Sequence, residues 1–188
     1  MTRYELLLFL HVAAAIIWLG AGMVLQFFAL RAERSRNAAE IHRVASDAEW
    51  LAMRLFVPAS LAVLVFGLAL VFDGPWAFDQ LWIVLGLVGY AFSFFIGILF
   101  ISPESGRIAK LVAAHGAEHE AVASRIRRIL AVSRFELAVL FAVVLDMTLK
   151  PRAEDVGFHV LAAAILVSGA AFALWSYRGE RRTGEAVA

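Results

Sequence analysis

The chain has 188 residues, 62% of them hydrophobic, and a mean hydropathy of +0.80, more apolar than a soluble domain of this length. Its net charge of +1 carries no information about partners, and no nucleic-acid role is expected. The absence of cysteine excludes disulfides, thiolate metal sites and cysteine nucleophiles.

From Leu6 to Leu30 the chain is uncharged, interrupted only by the polar His11 and Gln26, and this run exceeds the roughly 20 apolar residues that cross a bilayer. It is also longer than the core of a secretory signal, about 7 to 15 residues, so it reads as a first span over 5–30 of the mature protein. Asn37 and Glu40 predict a short interfacial helix. A capping box at Ser46 and Glu49 then predicts the start of a second span, 48–72, which carries Trp50 and Arg54 and is kinked at Pro58. The turn Asp73, Gly74, Pro75, Trp76 leads to a third span over 80–102. There Gly89, Ser93 and Gly97 form a small-residue ladder suited to internal packing or to dimerisation. Ser102, Pro103 and Glu104 predict a helix start, followed by Ile108, Leu111, Val112, His115, Val122, Ile126 and Ile129 at helical spacing. That amphipathic helix is expected to lie on the membrane or run into a fourth span, 129–149, which holds Arg134, Glu136 and Asp146. A fifth span covers 156–177.

The expected fold is therefore all-α, a polytopic bundle of five transmembrane spans with amphipathic cytoplasmic helices, forming one integral membrane domain over 1–188. Of the 17 Lys and Arg residues, only Arg3, Lys150 and Arg152 lie on one side of this topology. The positive-inside rule then places the N-terminus outside and the C-terminus in the cytoplasm.

His11 is the leading site candidate, because an ionisable ring inside a span calls for a polar partner, a cofactor or a water-filled cavity. It lies seven residues past Tyr4, roughly 10 Å below the outer boundary at 1.5 Å per residue. At 100° per residue, His11, Trp18, Gly22 and Gln26 fall within about 80° and make one stripe. A histidine, a flat ring and small residues on one face suit a planar macrocycle such as haem; the same residues also suit plain helix packing. His159 and Asp146 approach from the same side, which makes His159 a second candidate metal ligand or an ordinary interfacial imidazole. Asp146 reads as a proton carrier, a partner orienting a histidine, or a carboxylate reaching headgroups. On the inner side Arg54 and Glu136 stand at similar depth and predict an ion pair, or leave Arg54 for a cofactor carboxylate. The run His115, Gly116, Ala117, Glu118, His119 matches the H-x-x-E-H zinc pattern, in a glycine-interrupted surface helix without a third ligand. No phosphate loop, G-x-S-x-G elbow or dinucleotide fingerprint occurs.

Leu10, His11, Trp18, Gly20 and Gly22, with a proline in the second span and Lys150, Pro151 closing the fourth, resemble a bacterial family of predicted integral membrane proteins of unknown function. More distantly they are similar to HemJ-type protoporphyrinogen oxidases and CopD-type copper-resistance proteins. The resemblance covers about the first 150 residues. It implies a bacterial cytoplasmic (inner) membrane location, haem b ligated by His11, and a redox or electron-transfer component facing quinone or another membrane redox protein, in a possible homo-oligomer. One departure is visible: Leu81, Trp82, Ile83, Val84 stand where HemJ-type proteins carry a basic residue. A copper role would need methionine beside histidine, and Met147 is the one placed for it. The alternative is a non-enzymatic accessory subunit or a small-molecule or copper permease, with a structural or proton-handling His/Asp cluster.

Overall fold

Residues 1–35 and 37–185 are described by the computed structural model, the side chains of residue 38 and of 179–185 excepted. All regular structure among them is helical: α1 (Arg3–Ser35), α2 (Ala38–Leu51), α3 (Val57–Asp73), α4 (Leu81–Ile96), α5 (Ser102–His115), α6 (Glu120–Leu149) and α7 (Val156–Glu185), with π-helical turns at Ala52–Phe56 and Gly97–Ile101.

The two π turns correct three sequence expectations. Asn37 does cap a helix, its side-chain oxygen accepting the Ala39 N–H at 2.9 Å. That helix does not stop before Ser46, however, and the Ser46/Glu49 box starts nothing, because α2 runs through it into the second span. Likewise Ser102 is helical rather than a cap, and α4 continues into α5. In both helices the π turn lies immediately ahead of a proline. Pro58 and Pro103 lack an N–H and crowd the carbonyl four residues back; here that carbonyl belongs to Arg54 or Leu99, inside the widened turn. The turns absorb the clash, Val57 bonding to the Ala52 carbonyl and Ser102 to that of Gly97, so the helices bend instead of ending. The amphipathic stretch after Pro103 does break, at Gly116, whose φ of +87° closes α5. α6 then starts at Glu120 and runs 30 residues without interruption.

Among the described residues four helices are long and apolar enough to cross a membrane: Arg3–Ser35, Ala39–Asp73, Leu81–His115 and Val156–Arg178. The fourth expected span, within α6, is not among them, since it carries three charged residues, Arg134, Glu136 and Asp146. Yet α6 is the central helix, packed on α7, α4, α5, α1 and α2, while α1 lies chiefly against α3 and α7 against α6.

Close contact along the spans depends on small residues. Gly86 faces Met147, Gly89 faces Val143 and Gly169 faces Ala138, each with no room for a Cβ. The ladder is thus Gly86, Gly89, Ser93, buried against α6, whereas Gly97 sits in the π turn with open space around it. This favours internal packing over dimerisation for that ladder. The best-buried apolar core lies at one end of the bundle, where Ala29, Ala32, Ile41, Val44, Ile108, Val122, Ile126 and Leu130 join α1, α2, α5 and α6 into a cap. Gly89→Leu should destabilise the protein by about 1–3 kcal/mol through overpacking, whereas Gly97→Leu should leave the thermal midpoint in detergent unchanged; equal effects would remove the assigned packing.

Candidate functional site

Most polar side chains of the bundle gather in two groups along α6. At the cap end, Arg134 donates to the Ser176 hydroxyl at 2.7 Å and to the Glu33 carboxylate, joining α6 to α7 and α1. Both members of the ion pair are buried, with side chains 3% and 6% exposed. Nearby, Glu104 of α5 accepts from Arg125 of α6 at 2.7 Å and from Arg107, and the Arg125 hydrogen bond above all holds its carboxyl below the usual range.

The expected Arg54–Glu136 pair is not formed. Arg54 occupies the π turn, exposed, with its guanidinium 4.6 Å from the Trp50 ring centre, while Glu136 faces Ser93 across the α4–α6 seam. Similar depth was not enough, because the two side chains leave their helices in different directions.

At the other end of α6, Asp146 is 2% exposed and neither carboxylate oxygen has a hydrogen-bond partner. Gly86 lies beside it, a Cβ there standing in ordinary contact 3.7 Å from Asp146 Oδ2. Further along the same seam the Tyr90 hydroxyl is buried without a partner, and so is the Gln26 side-chain oxygen from α1. Over Asp146 lies an aromatic clamp. Lys150 Nζ stands 4.1 Å from the Trp76 ring and 5.3 Å from that of Trp82, the two rings meet edge to face at 5.1 Å, and Trp76 Nε1 donates to the Tyr4 hydroxyl at 3.2 Å. Arg3 and Asp73 pair at 3.2 Å beside it.

The His11 stripe is divided among three neighbours. His11 Nδ1 lies 2.9 Å from the Val63 carbonyl of α3; a carbonyl only accepts, so Nδ1 carries the proton and Nε2 keeps its lone pair. The ring rests on Gly67, where an added Cβ would lie 3.0 Å from His11 Cε1. Trp18 meets Tyr90 of α4 edge to face at 6.0 Å, and Gly22 faces Leu137 of α6. His159 is exposed in the first turn of α7, its Nε2 donating to the Ala153 carbonyl at 3.2 Å. Met147 places its methyl against Gly86 rather than beside a histidine. Among the described residues no three His, Asp or Glu side chains converge on a metal position.

His115 and His119 do not share a helix turn, since one closes α5 and the other caps α6, with ring centres 4.9 Å apart. The cap bond from the Ala121 N–H to His119 Nδ1, at 3.2 Å, puts the neutral ring's proton on Nε2. The motif thus forms the junction between α5 and α6.

Sequence reasoning missed Glu33, Ser176 and the contact of Lys150 with Trp76 and Trp82. The four-residue step from Asp146 to Lys150 was a readable signal; the Glu33–Arg134 contact, between residues about a hundred apart in the chain, was not.

This architecture defines an integral membrane protein, an all-helical bundle with four apolar candidate spans. Residues 5–151 match the family described as "Predicted integral membrane protein (DUF2269)", and the chain belongs to that family. Comparison with curated proteins and with solved structures gives no match.

Arg134→Met strands the Glu33 charge in a buried setting and should destabilise the fold by about 3–5 kcal/mol. Arg134→Met with Glu33→Met should recover most of that loss. Additive losses in unfolding measurements would show that the two residues act independently.

Proposed function

We propose that the chain crosses the bacterial cytoplasmic membrane five times, N-terminus outside and C-terminus in the cytoplasm, and works as a proton-handling permease or accessory subunit with Asp146 as carrier. α6 supplies the additional span. It is 30 residues long and runs beside α4 in antiparallel register, with Asp146 and Met147 at Gly86, Val143 at Gly89 and Glu136 at Ser93. A helix packed among others is free to carry ionisable groups that a lipid-facing span is not, which accounts for Arg134, Glu136 and Asp146 within it. The cap helices and most Lys and Arg then share the cytoplasmic side.

The observation that carries the proton reading is Asp146 itself. An unpartnered carboxylate is too costly to bury whereas a carboxylic acid is not, so the seam accommodates Asp146 as the acid, ready to ionise when water or a cation reaches it. Tyr90, Ser93 and Glu136 continue the polar line inward along α4 and α6. In vesicles under a potassium diffusion potential, the wild type should pass protons and Asp146→Asn should do so at least tenfold more slowly. A wild type no faster than empty vesicles, or an unaffected Asp146→Asn, would return Asp146 to a packing role.

A second reading, haem b on His11, has one observation in its favour: the Nδ1 bond to Val63 leaves Nε2 basic and fixes the ring, as for an oriented metal ligand. The donor fits but the room does not. Gly67 closes one side of the ring, and the groove of about 700 Å³ in the structure lies between α6 and α7, lined by neither His11, Trp18 nor Gly22. Haem bound there would supply one-electron chemistry. A reduced minus oxidised spectrum with sharp bands that vanish in His11→Ala would establish this reading, and a colourless protein from haem-replete cells would end it.

A further inference from the structure

The seam beyond Asp146 ends in a cation. One turn along from Gly86 on α4 comes Trp82, and one turn along from Asp146 on α6 comes Lys150. The ammonium group rests against the Trp76 and Trp82 rings, which touch each other, and Trp76 is held from α1 by Tyr4. The exposed side chain four residues along from the buried carboxyl thus stands, with two indoles, at that end of the seam.

We propose that Lys150 is the outer gate and mobile counter-charge of Asp146, resting against Trp76 and Trp82 while Asp146 is protonated and moving onto the carboxylate when it ionises. This rests on the reading of Asp146 as a proton carrier. Two independent features support it. The backbone of Lys150 is left-handed, φ 48° and ψ 58°, at a helix end where glycine or asparagine is the usual residue. A lysine bears strain there that glycine would not, which makes sense if the side chain is what the position needs. Secondly, cation–π attraction is modest beside that of a buried opposite charge, so the clamp can release its cation once a carboxylate appears below.

The other charged and titratable groups around this end do not supply that charge. Arg3 is paired with Asp73, His159 donates to Ala153, Arg152 lies beyond the buried Pro151, and α4 and α1 contribute the neutral Tyr90 and Tyr4. In the proposed step the Asp146 carboxyl gives its proton to water admitted as Nζ leaves the rings, and the carboxylate so formed takes Nζ. Protonation from the other side returns Lys150 to the clamp.

The test is Lys150→Gly, which suits the left-handed backbone and removes only the gate, read in the same vesicle assay. Lys150→Gly should pass protons at least tenfold faster than the wild type, Lys150→Arg should stay close to it, and Lys150→Gly with Asp146→Asn should be blocked. Lys150→Gln, which keeps chain length without charge, should match Lys150→Gly and guards against a folding artefact. If Asp146→Asn blocks flux while Lys150→Gly and Lys150→Gln leave it at the wild-type rate, the gate is wrong and the carrier stands. If Asp146→Asn changes nothing, both fall together.

Discussion

The Arg134–Glu33 contact is the constraint around which the bundle is arranged. Two charges removed from water are tolerable only when paired, and these two belong to helices α6 and α1, with the Ser176 hydroxyl of α7 as the guanidinium's second partner, while Arg134 Nε and Glu33 Oε1 stay buried without a hydrogen bond. The contact sets the rotation of all three helices at one level: Arg134 must face inward, so the rest of its stripe on α6 faces inward too. α7 makes its main contacts with α6, which makes this knot the polar fastening of an otherwise apolar interface.

With α6 held in the centre, packing differs along the bundle. Toward the cap end the chain buries Val122, Ile126 and the alanines of α1 in an apolar core. Along the spans the large residues face outward: Phe27, Phe72, Phe95, Leu99 and Trp175 are all exposed. Lipid is as apolar as they are, so association there comes from close backbone approach and buried polar contacts. The seams at Gly86, Gly89 and Gly169 provide that approach. One protein thus uses two packing regimes, and α6 passes through both.

The same enclosure decides where chemistry can reside. Polar groups collect along the α4–α6 seam because that seam is closed to lipid, and His11 is drawn instead to the α1–α3 interface by the Val63 carbonyl. Histidine and aspartate therefore occupy different interfaces rather than one shared pocket. Asp146 stands apart from His11 as a buried ionisable group whose oxygens lack a partner, and the aromatic cluster one turn along joins α1, the α3–α4 turn, α4 and α6 at that end of the bundle.

Hydropathy is a local sum, and it determined from sequence alone that the chain is a membrane protein, where the apolar runs of α1, α3, α4 and α7 fall, and that Asn37 caps a helix. The capping signals at Ser46 and Ser102 were equally local, yet a continuing helix overrode them, because a π turn ahead of each proline cost less than opening two helix ends. Charge pairing was not local. Whether Arg54 or Arg134 meets a glutamate depends on helix rotation and register, which follow from the glycine contacts between α4 and α6 and from the reach of α1 past its apolar run to Glu33. Tertiary structure alone decided that α6 is central, that Asp146 is buried without a partner and that Lys150 meets Trp76 and Trp82. Each of these is a relation between helices, set by which faces pack together and not by the residues of any one of them.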